Sequence, residues 1–128
     1  LFMKIFNSAK KIKNKEMKLL ELGSTNYVRD WSFAGDVAKA IFLINQSDNN
    51  NNFIIGSGVS TSISEVVEKV FSLYDLKPEN HIKVNPKLLR EGDPLKIVSD
   101  PSLLKSELNW SPQLSVDDLL ERIFHKIK

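Results

Sequence analysis

One stretch of the sequence, Gly23–Asp36, constrains the fold more than any other. The apolar segment Met17–Leu22 precedes it and predicts a short strand that ends in a turn. Arg29 and Trp31 follow, just before a helix whose predicted N-cap is Ser32. A planar guanidinium beside a helix start can bind phosphate oxygens bidentately, and the helix adds unpaired N–H groups and the positive end of its dipole. The stretch therefore predicts an anion-binding turn between a strand and a helix.

A simpler interpretation stays open on these residues alone. Arg29 could pair with the adjacent Asp30 at the surface, next to a Trp31 that belongs to the core. The two interpretations differ in the partner that they give to the guanidinium, and the rest of the chain has to decide between them.

Composition excludes several classes of protein. The length of 128 residues suits a single domain, residues 1–128, and the net charge of +2 does not by itself indicate a nucleic-acid partner. The chain has no cysteine, which excludes disulfides and thiolate chemistry and is compatible with a reducing compartment. No apolar run approaches the ~20 residues that a membrane span needs, and no signal peptide is visible, so a cytoplasmic protein without a membrane partner is expected.

Apolar periodicity and capping residues predict a mixture of helices and short strands. Helices are expected to begin at Phe2, after Ser32, at the capping box Ser62-x-x-Glu65, at Asp100 with Pro101, and at Ser115-x-x-Asp118. In the second of these helices the residues expected to be buried are Val37, Ala40, Ile41 and Ile44. Short strands are expected at Met17–Leu22, Phe53–Ile55, Ile82–Val84 and Ile97–Val98. This order lacks the regular alternation of a complete doubly wound sheet.

The first helix raises two questions. Its apolar face begins at the first residues, so we expect that face to pack against an upstream part of a longer protein, and the isolated chain to self-associate. Lysines crowd its end, and a solvated helix terminus explains them better than a nucleic-acid arm, because no aromatic residue is interleaved with them. The residues concerned are Phe2, Ile5, Phe6 and Ala9 on the face, and Lys10, Lys11, Lys13, Lys15 and Lys18 in the run.

Catalytic motifs are missing from the sequence. Gly56-Ser57-Gly58 imitates a dinucleotide loop, but the third glycine and a second βαβ unit are absent, so we predict no cofactor site there. His81 and His125 lie far apart, and no metal site is expected. No tyrosine has a lysine four residues later, and no Ser/His/Asp arrangement is evident. The chain is predicted to bind a ligand and to carry no catalytic residue.

A second turn adds residues suited to a nucleotide. Arg90-Glu91-Gly92-Asp93 places a guanidinium and a carboxylate together on a loop. A carboxylate accepts hydrogen bonds well from the vicinal diol of a ribose, and arginines suit a diphosphate. The alternative for this motif is a surface turn with a local ion pair.

Four segments together resemble a known family. They are the stretch G-S-T-N-Y-V-R-D-W-S-F-A-G-D-V-A-K-A, then F-I-I-G-S-G-V-S-T-S-I-S-E, then L-R-E-G-D, then D-P-S-L-L-K-S-E-L-N-W-S-P. In that order they resemble the C-terminal part of extended short-chain dehydrogenases/reductases that act on nucleotide sugars, and within these the GDP-mannose 4,6-dehydratase family. The resemblance implies an α/β protein of Rossmann type, of which this chain is the mixed α+β substrate-binding region without the Rossmann half.

The resemblance also implies roles for four residues. Lys4 and Arg90 would contact phosphate, Arg29 the diphosphate and Asp93 the ribose. The chain departs from the family pattern at three positions: Met3 replaces an arginine, Glu91 a proline, and Asp93 is shorter than the usual glutamate. These departures concern guanosine specificity more than the binding of a nucleotide sugar.

In the intact enzyme the resemblance implies oxidation at the sugar C4, loss of water across C5–C6 and return of the hydride to C6. NADP and the catalytic residues would belong to the missing N-terminal half, so this chain alone would be inactive, and the full-length protein would be a homo-oligomer that binds GDP-mannose. The alternatives are a GDP-4-keto-6-deoxymannose reductase, a UDP- or dTDP-sugar epimerase or dehydratase, and a non-catalytic sugar-nucleotide-binding remnant. A nucleic-acid module is the least favoured.

Overall fold

A computed structural model describes residues 1–48 and 50–127 as a mixture of helices and short strands. The helices are α1 (Phe2–Lys13), α2 (Ala34–Gln46), α3 (Ile63–Leu73), α4 (Ser102–Leu108) and α5 (Val116–Ile127). The strands are β1 (Leu20–Leu22), β2 (Val28–Asp30), β3 (Ser60–Ser62), β4 (Ile82–Val84) and β5 (Lys96–Ile97). Short 3₁₀ turns cover Pro78–Asn80 and Pro86–Leu88.

The strands form two small sheets. β1 pairs with β4 in parallel, with Leu20 opposite Ile82. In the second sheet β2 is central, antiparallel to β3 and parallel to β5. Arg29 is therefore opposite Thr61 on one side and Ile97 on the other. Because β2 is the central strand, Arg29 lies between two neighbouring strands.

The larger core forms between α1, α3, α5 and β1. Ile5, Phe6 and Ala9 of α1 are fully buried against the apolar side of α3. We expected this face of α1 to pack against an upstream part of a longer protein. That expectation was wrong, because the face is already buried against the apolar face of α3. The buried residues of α3 are Val66, Val67, Val70 and Phe71.

Lysines at the end of α1 contribute to tertiary contacts. The ammonium of Lys10 donates to the carbonyl of Ile127 at the end of α5 (2.8 Å), and Lys13 pairs with Asp75 after α3 (3.1 Å). Both contacts are exposed, so each stabilises the chain only slightly. They support the interpretation of this run as a solvated helix end.

A smaller core joins α2 to α4 and the segment after it. Ala40, Leu104 and Trp110 are its buried members. The buried carboxylate of Asp36, in the first turn of α2, accepts from the backbone N–H groups of Gln113 (2.9 Å) and Leu114 (3.2 Å). Its backbone carbonyl accepts from the indole N–H of Trp110 (3.2 Å). One residue of α2 thus fixes the position of the chain that leads into α5.

The predicted caps of α3 and α5 are confirmed. Ser62 and Glu65 form a reciprocal capping box at the start of α3. At the start of α5, the hydroxyl of Ser115 accepts from the N–H of Asp118 (3.1 Å), whose carboxylate accepts from the N–H of Ser115 (3.0 Å). Asn109 ends α4 in the left-handed region (φ 49°), as expected.

Two other predicted helix starts differ. α2 begins after Phe33 without a side-chain cap, because the hydroxyl of Ser32 points to the carboxylate of Asp30 (3.4 Å). α4 begins after Pro101, one residue later than expected, although Asp100 still accepts from the N–H of Ser102 (3.0 Å).

The predicted strand Phe53–Ile55 is not a strand. The segment has no regular secondary structure and pairs with no strand among residues 1–48 and 50–127, and Ile54 is 56% exposed. Phe53 and Ile55 nevertheless pack against the smaller core. Ile41 was also placed wrongly: it is 48% exposed, since α2 buries only the narrow side around Asp36 and Ala40. Of the other predicted strands, Met17–Leu22 is shortened to Leu20–Leu22, Ile82–Val84 has the expected bounds, and the last strand is Lys96–Ile97, one residue earlier than expected.

None of the helices in the described part of the chain combines the length and the apolar character that a membrane crossing needs.

The burial of α1 can be tested by two matched truncations. Phe6→Ala should lower the free energy of unfolding by about 3–5 kcal/mol, because it leaves a cavity in the larger core. Phe42→Ala removes a side chain that is 59% exposed on α2 and should cost less than about 0.5 kcal/mol. Urea denaturation of both variants measures the difference; equal losses would contradict this assignment of the core.

Self-association should depend on α2 and not on α1. Phe42→Glu places a charge on the exposed apolar side of α2 and should reduce the mass measured by light scattering. Gln46→Glu adds the same charge to an exposed polar position of the same helix and is the control. If both variants associate as strongly as the unmodified chain, another surface is responsible.

Candidate anion-binding site

Strand β2 holds the guanidinium of Arg29 in a defined position. Nη1 donates to the carbonyls of Val28 (2.8 Å) and Leu95 (3.4 Å), and Nη2 donates to Oδ1 of Asp93 (2.7 Å). The Arg29 side chain is only 19% exposed, and its guanidinium lies over the ring of Tyr27, 5.1 Å from the centroid. Arginine carries N–H donors on Nε as well as on Nη1 and Nη2. The Nε–H and one N–H of Nη2 have no partner among the described residues. The group is oriented but still able to bind a ligand.

The pairing of Arg29 decides between the two interpretations of its motif. Its carboxylate partner is Asp93, 64 residues away, and not the adjacent Asp30. Successive side chains of a strand point to opposite faces, so a local Arg29–Asp30 pair is disfavoured on β2. The simpler interpretation was wrong in this respect, although it placed Trp31 correctly. The indole packs on the larger core, lies in a tilted contact with the ring of Phe2 (4.8 Å between centroids) and donates to the carbonyl of Thr61 (3.3 Å).

Asp30 is a structural centre that the sequence analysis missed. Oδ1 accepts from the N–H (2.9 Å) and hydroxyl (2.5 Å) of Ser57, and Oδ2 accepts from the N–H groups of Gly58 (2.9 Å) and Ser99 (3.3 Å) and from the Ser99 hydroxyl. Burial alone would raise the pKa of Asp30, but hydrogen bonds from Ser57, Ser99 and Gly58 outweigh it and the pKa lies below its ordinary value.

The Gly56-Ser57-Gly58 loop approaches Asp30 closely because Gly56 has no side chain. A Cβ at Gly56 would lie 2.6 Å from Cβ of Ser99 and 2.9 Å from Oδ2 of Asp30. The N–H groups of Ser57 and Gly58, which a dinucleotide loop would offer to phosphates, already donate to Asp30. The residues of this loop therefore do not fit the diphosphate of a nicotinamide cofactor.

The turn with Arg90 borders the Arg29 pair. The N–H of Asp93 donates to the carbonyl of Arg90 (3.3 Å), and Gly92 takes a left-handed conformation (φ 74°) that favours glycine. Arg90 is exposed and forms no ion pair or side-chain hydrogen bond within residues 1–48 and 50–127. The alternative of a surface turn with a local ion pair does not describe it, because the carboxylate of Asp93 is bound to Arg29.

Lys4 contacts strand β1 of the other sheet. Its ammonium donates to the carbonyl of Glu21 at the end of β1 (2.6 Å). The side chain of Glu21 accepts from Lys83 (2.8 Å) and Asn85 (2.9 Å), and these hydrogen bonds lower its pKa. The structure thus pairs Arg29 with Asp93 beside the Arg90 turn, and it places Lys4 against β1.

The side chains at this site suit an anion that also carries hydroxyl groups. Two guanidinium groups can bind phosphate oxygens, and one carboxylate can accept from a diol. No group of three histidine, aspartate or glutamate side chains in the described part of the chain is arranged to hold a metal ion. Nδ1 of His81 lies 3.0 Å from the carbonyl of Lys18, to which it donates in the tautomer that carries the proton on Nδ1.

Comparisons with known proteins identify the family. The family model of GDP-mannose 4,6 dehydratase matches residues 1–123. GDP-mannose 4,6 dehydratase of Homo sapiens is 30% identical over 95% of this chain, and the chain spans 37% of the length of that relative.

Solved structures show the same fold. UDP-glucose 4-epimerase of Thermotoga maritima, crystallised with UDP-glucose, has a TM-score of 0.72 and 25% identity over 95% of this chain and 39% of its own. RMD from Pseudomonas aeruginosa, complexed with NADPH, has a TM-score of 0.79 and 17% identity over 97% of this chain and 40% of its own. These similarities confirm the predicted fold, that of the C-terminal part of an extended short-chain dehydrogenase/reductase. The family model and the architecture agree, and the chain belongs to the GDP-mannose 4,6-dehydratase family.

Proposed function

We propose that residues 1–128 are the nucleotide-sugar-binding part of a GDP-mannose 4,6-dehydratase and that Arg29 binds the diphosphate of the substrate. Membership of the family supports the substrate class. The observation that carries the assignment of the site is the guanidinium of Arg29, held by Val28, Leu95 and Asp93 with two donors to spare. A bidentate contact with phosphate oxygens needs this combination of orientation and free donors.

Asp93 is proposed to accept from the ribose diol while it orients Arg29. Oδ1 is bound to Arg29, whereas Oδ2 has no donor in the described part of the chain. The side chain is 29% exposed, which leaves it accessible to a ligand. Arg90, exposed on the same turn, is proposed to contact phosphate.

Lys4 is proposed to contact a phosphate oxygen. One of its N–H donors is used by the carbonyl of Glu21, which leaves two for that oxygen. A lysine acts as a point charge, so this contact needs no fixed orientation of its side chain.

The complete protein is proposed to be a lyase that removes water from the hexose, with NADP bound by the part outside this chain. NADP would supply oxidation and reduction there, and the Gly56–Gly58 loop does not fit it, since its N–H groups are bound to Asp30. The residues of this chain bind and orient the nucleotide sugar. Binding without a contact specific to the transition state does not accelerate chemistry, so the isolated chain is proposed to be inactive.

We also propose that the complete protein is a cytoplasmic homo-oligomer without a nucleic-acid partner. The exposed apolar side chains of Ile41 and Phe42 on α2 support further burial in an assembly. The absence of cysteine from the sequence is compatible with a reducing compartment.

The proposal is tested first by nucleotide preference. Isothermal titration of the chain with GDP, UDP and dTDP should give the tightest binding for GDP. Tighter binding of UDP or dTDP would favour an epimerase or dehydratase of another nucleotide sugar, and the absence of binding to all three would contradict the proposal.

Arg29→Ala should weaken GDP binding by roughly 2–4 kcal/mol, because it leaves part of the diphosphate without a charged partner. Arg29→Lys should recover only a fraction, since an ammonium cannot reproduce the planar fork. Arg122→Ala, which removes an exposed arginine of α5, is the control for the loss of one positive charge. An Arg29→Ala affinity within about twofold of the unmodified chain would remove Arg29 from the site.

Asp93→Asn should weaken the binding of GDP more than that of 2′,3′-dideoxy-GDP, because the second ligand lacks the diol that Asp93 is proposed to bind. The four affinities form a thermodynamic cycle whose coupling energy isolates this contact. Equal losses for both ligands would mean that Asp93 acts only through Arg29.

A further inference from the structure

Asp30 joins three segments that lie far apart in the sequence. Its carboxylate, on β2, receives hydrogen bonds from Ser57 and Gly58 in the loop before β3. It also accepts hydrogen bonds from the N–H and the hydroxyl of Ser99, which lies two residues after β5. A partly buried carboxylate with this number of donors is held firmly, since bonds to a charged acceptor are stronger than neutral ones.

The contact with Ser99 bears directly on Arg29. Strand β5 is only two residues long, and it pairs with β2 in parallel, with Arg29 opposite Ile97. Asp30 fixes the chain just after β5, while the N–H of Val28 fixes the carbonyl of Leu95 just before it (2.8 Å). The short strand is thus fastened to β2 at both ends.

The two other partners of the guanidinium lie at the start of this segment and two residues before it. Leu95 supplies the carbonyl that Nη1 reaches, and Asp93 supplies the carboxylate that Nη2 reaches. A shift of β5 along β2 would therefore move two of the three acceptors of Arg29 at once.

We propose that Asp30 is a positioning residue, which fastens β5 to β2 through Ser99 and so fixes the orientation of the Arg29 guanidinium. Asp30 does not touch the ligand, because its oxygens are occupied by Ser57, Gly58 and Ser99. The consequence for affinity rests on the proposed function, whereas the orientation of Arg29 does not.

The orientation is measured by NMR on the ¹⁵N-labelled chain without ligand. In Asp30→Asn one acceptor oxygen becomes an amide that faces N–H donors, so β5 loosens and the Nε–H resonance of Arg29 becomes as mobile as that of exposed Arg122. Asp36→Asn is the matched control: it disturbs a buried carboxylate that holds Gln113 and Leu114, and should lower the melting temperature while Arg29 stays ordered.

A second variant keeps the test decisive if Asp30→Asn does not fold. Ser99→Ala removes one hydroxyl donor and leaves the carboxylate, and it should mobilise Arg29 in the same direction to a smaller extent. An Arg29 Nε–H that stays as ordered as in the unmodified chain, in whichever of the two variants folds, overturns the proposal.

Affinity for GDP provides the second readout. Asp30→Asn should weaken GDP binding about tenfold, since a small misplacement of a binding group is costly. In an Arg29→Ala background the same substitution should cause no further loss. Equal losses in both backgrounds would show a general structural effect and overturn the proposal. If the unmodified chain does not bind GDP, the proposed function fails, and the mobility of Arg29 still decides the role of Asp30.

Discussion

The carboxylate of Asp30 is the interaction on which the arrangement of the second sheet depends. β3 and β5 are two or three residues long, too short to define their positions on β2 by ladder hydrogen bonds alone. Hydrogen bonds to a charged acceptor contribute about 1.5–3 kcal/mol each, and Asp30 accepts them from both flanking segments. A half-buried carboxylate without such donors would be costly, so the acid and its loop require one another.

Asp36 repeats this arrangement in the smaller core. Six residues after Asp30, it binds the N–H groups of Gln113 and Leu114 and so places the segment that leads into α5. Two carboxylates of one short stretch thus each hold segments that are distant in the sequence against β2 and α2. The acceptors of the Arg29 guanidinium are held in position by other contacts. Two of its N–H donors have no partner among the described residues.

Local patterns predicted the helices well and the strands less well. The period of Ile5, Phe6 and Ala9 identified α1, and Ser62 with Glu65 identified the start of α3, because caps and apolar faces are encoded within a few residues. Phe53–Ile55 has strand-like residues, but a strand needs a partner that local sequence cannot supply. Asp30 and Ser99 are 69 residues apart in the sequence, and Arg29 and Asp93 are 64 residues apart. No local sequence pattern could therefore predict either contact. The family resemblance named Arg29 and Asp93 without indicating that they pair.

The central claim is that a fixed Arg29, together with Asp93 and Arg90, binds the nucleotide of a nucleotide sugar. Titration of the ¹⁵N-labelled chain with GDP, followed by backbone and arginine side-chain resonances, tests it most directly. The account predicts saturable shifts confined to β2, β5 and the Arg90–Asp93 turn, with the Arg29 Nε–H among the largest. Shifts centred on α4 and α5, or none at saturating GDP, would contradict it.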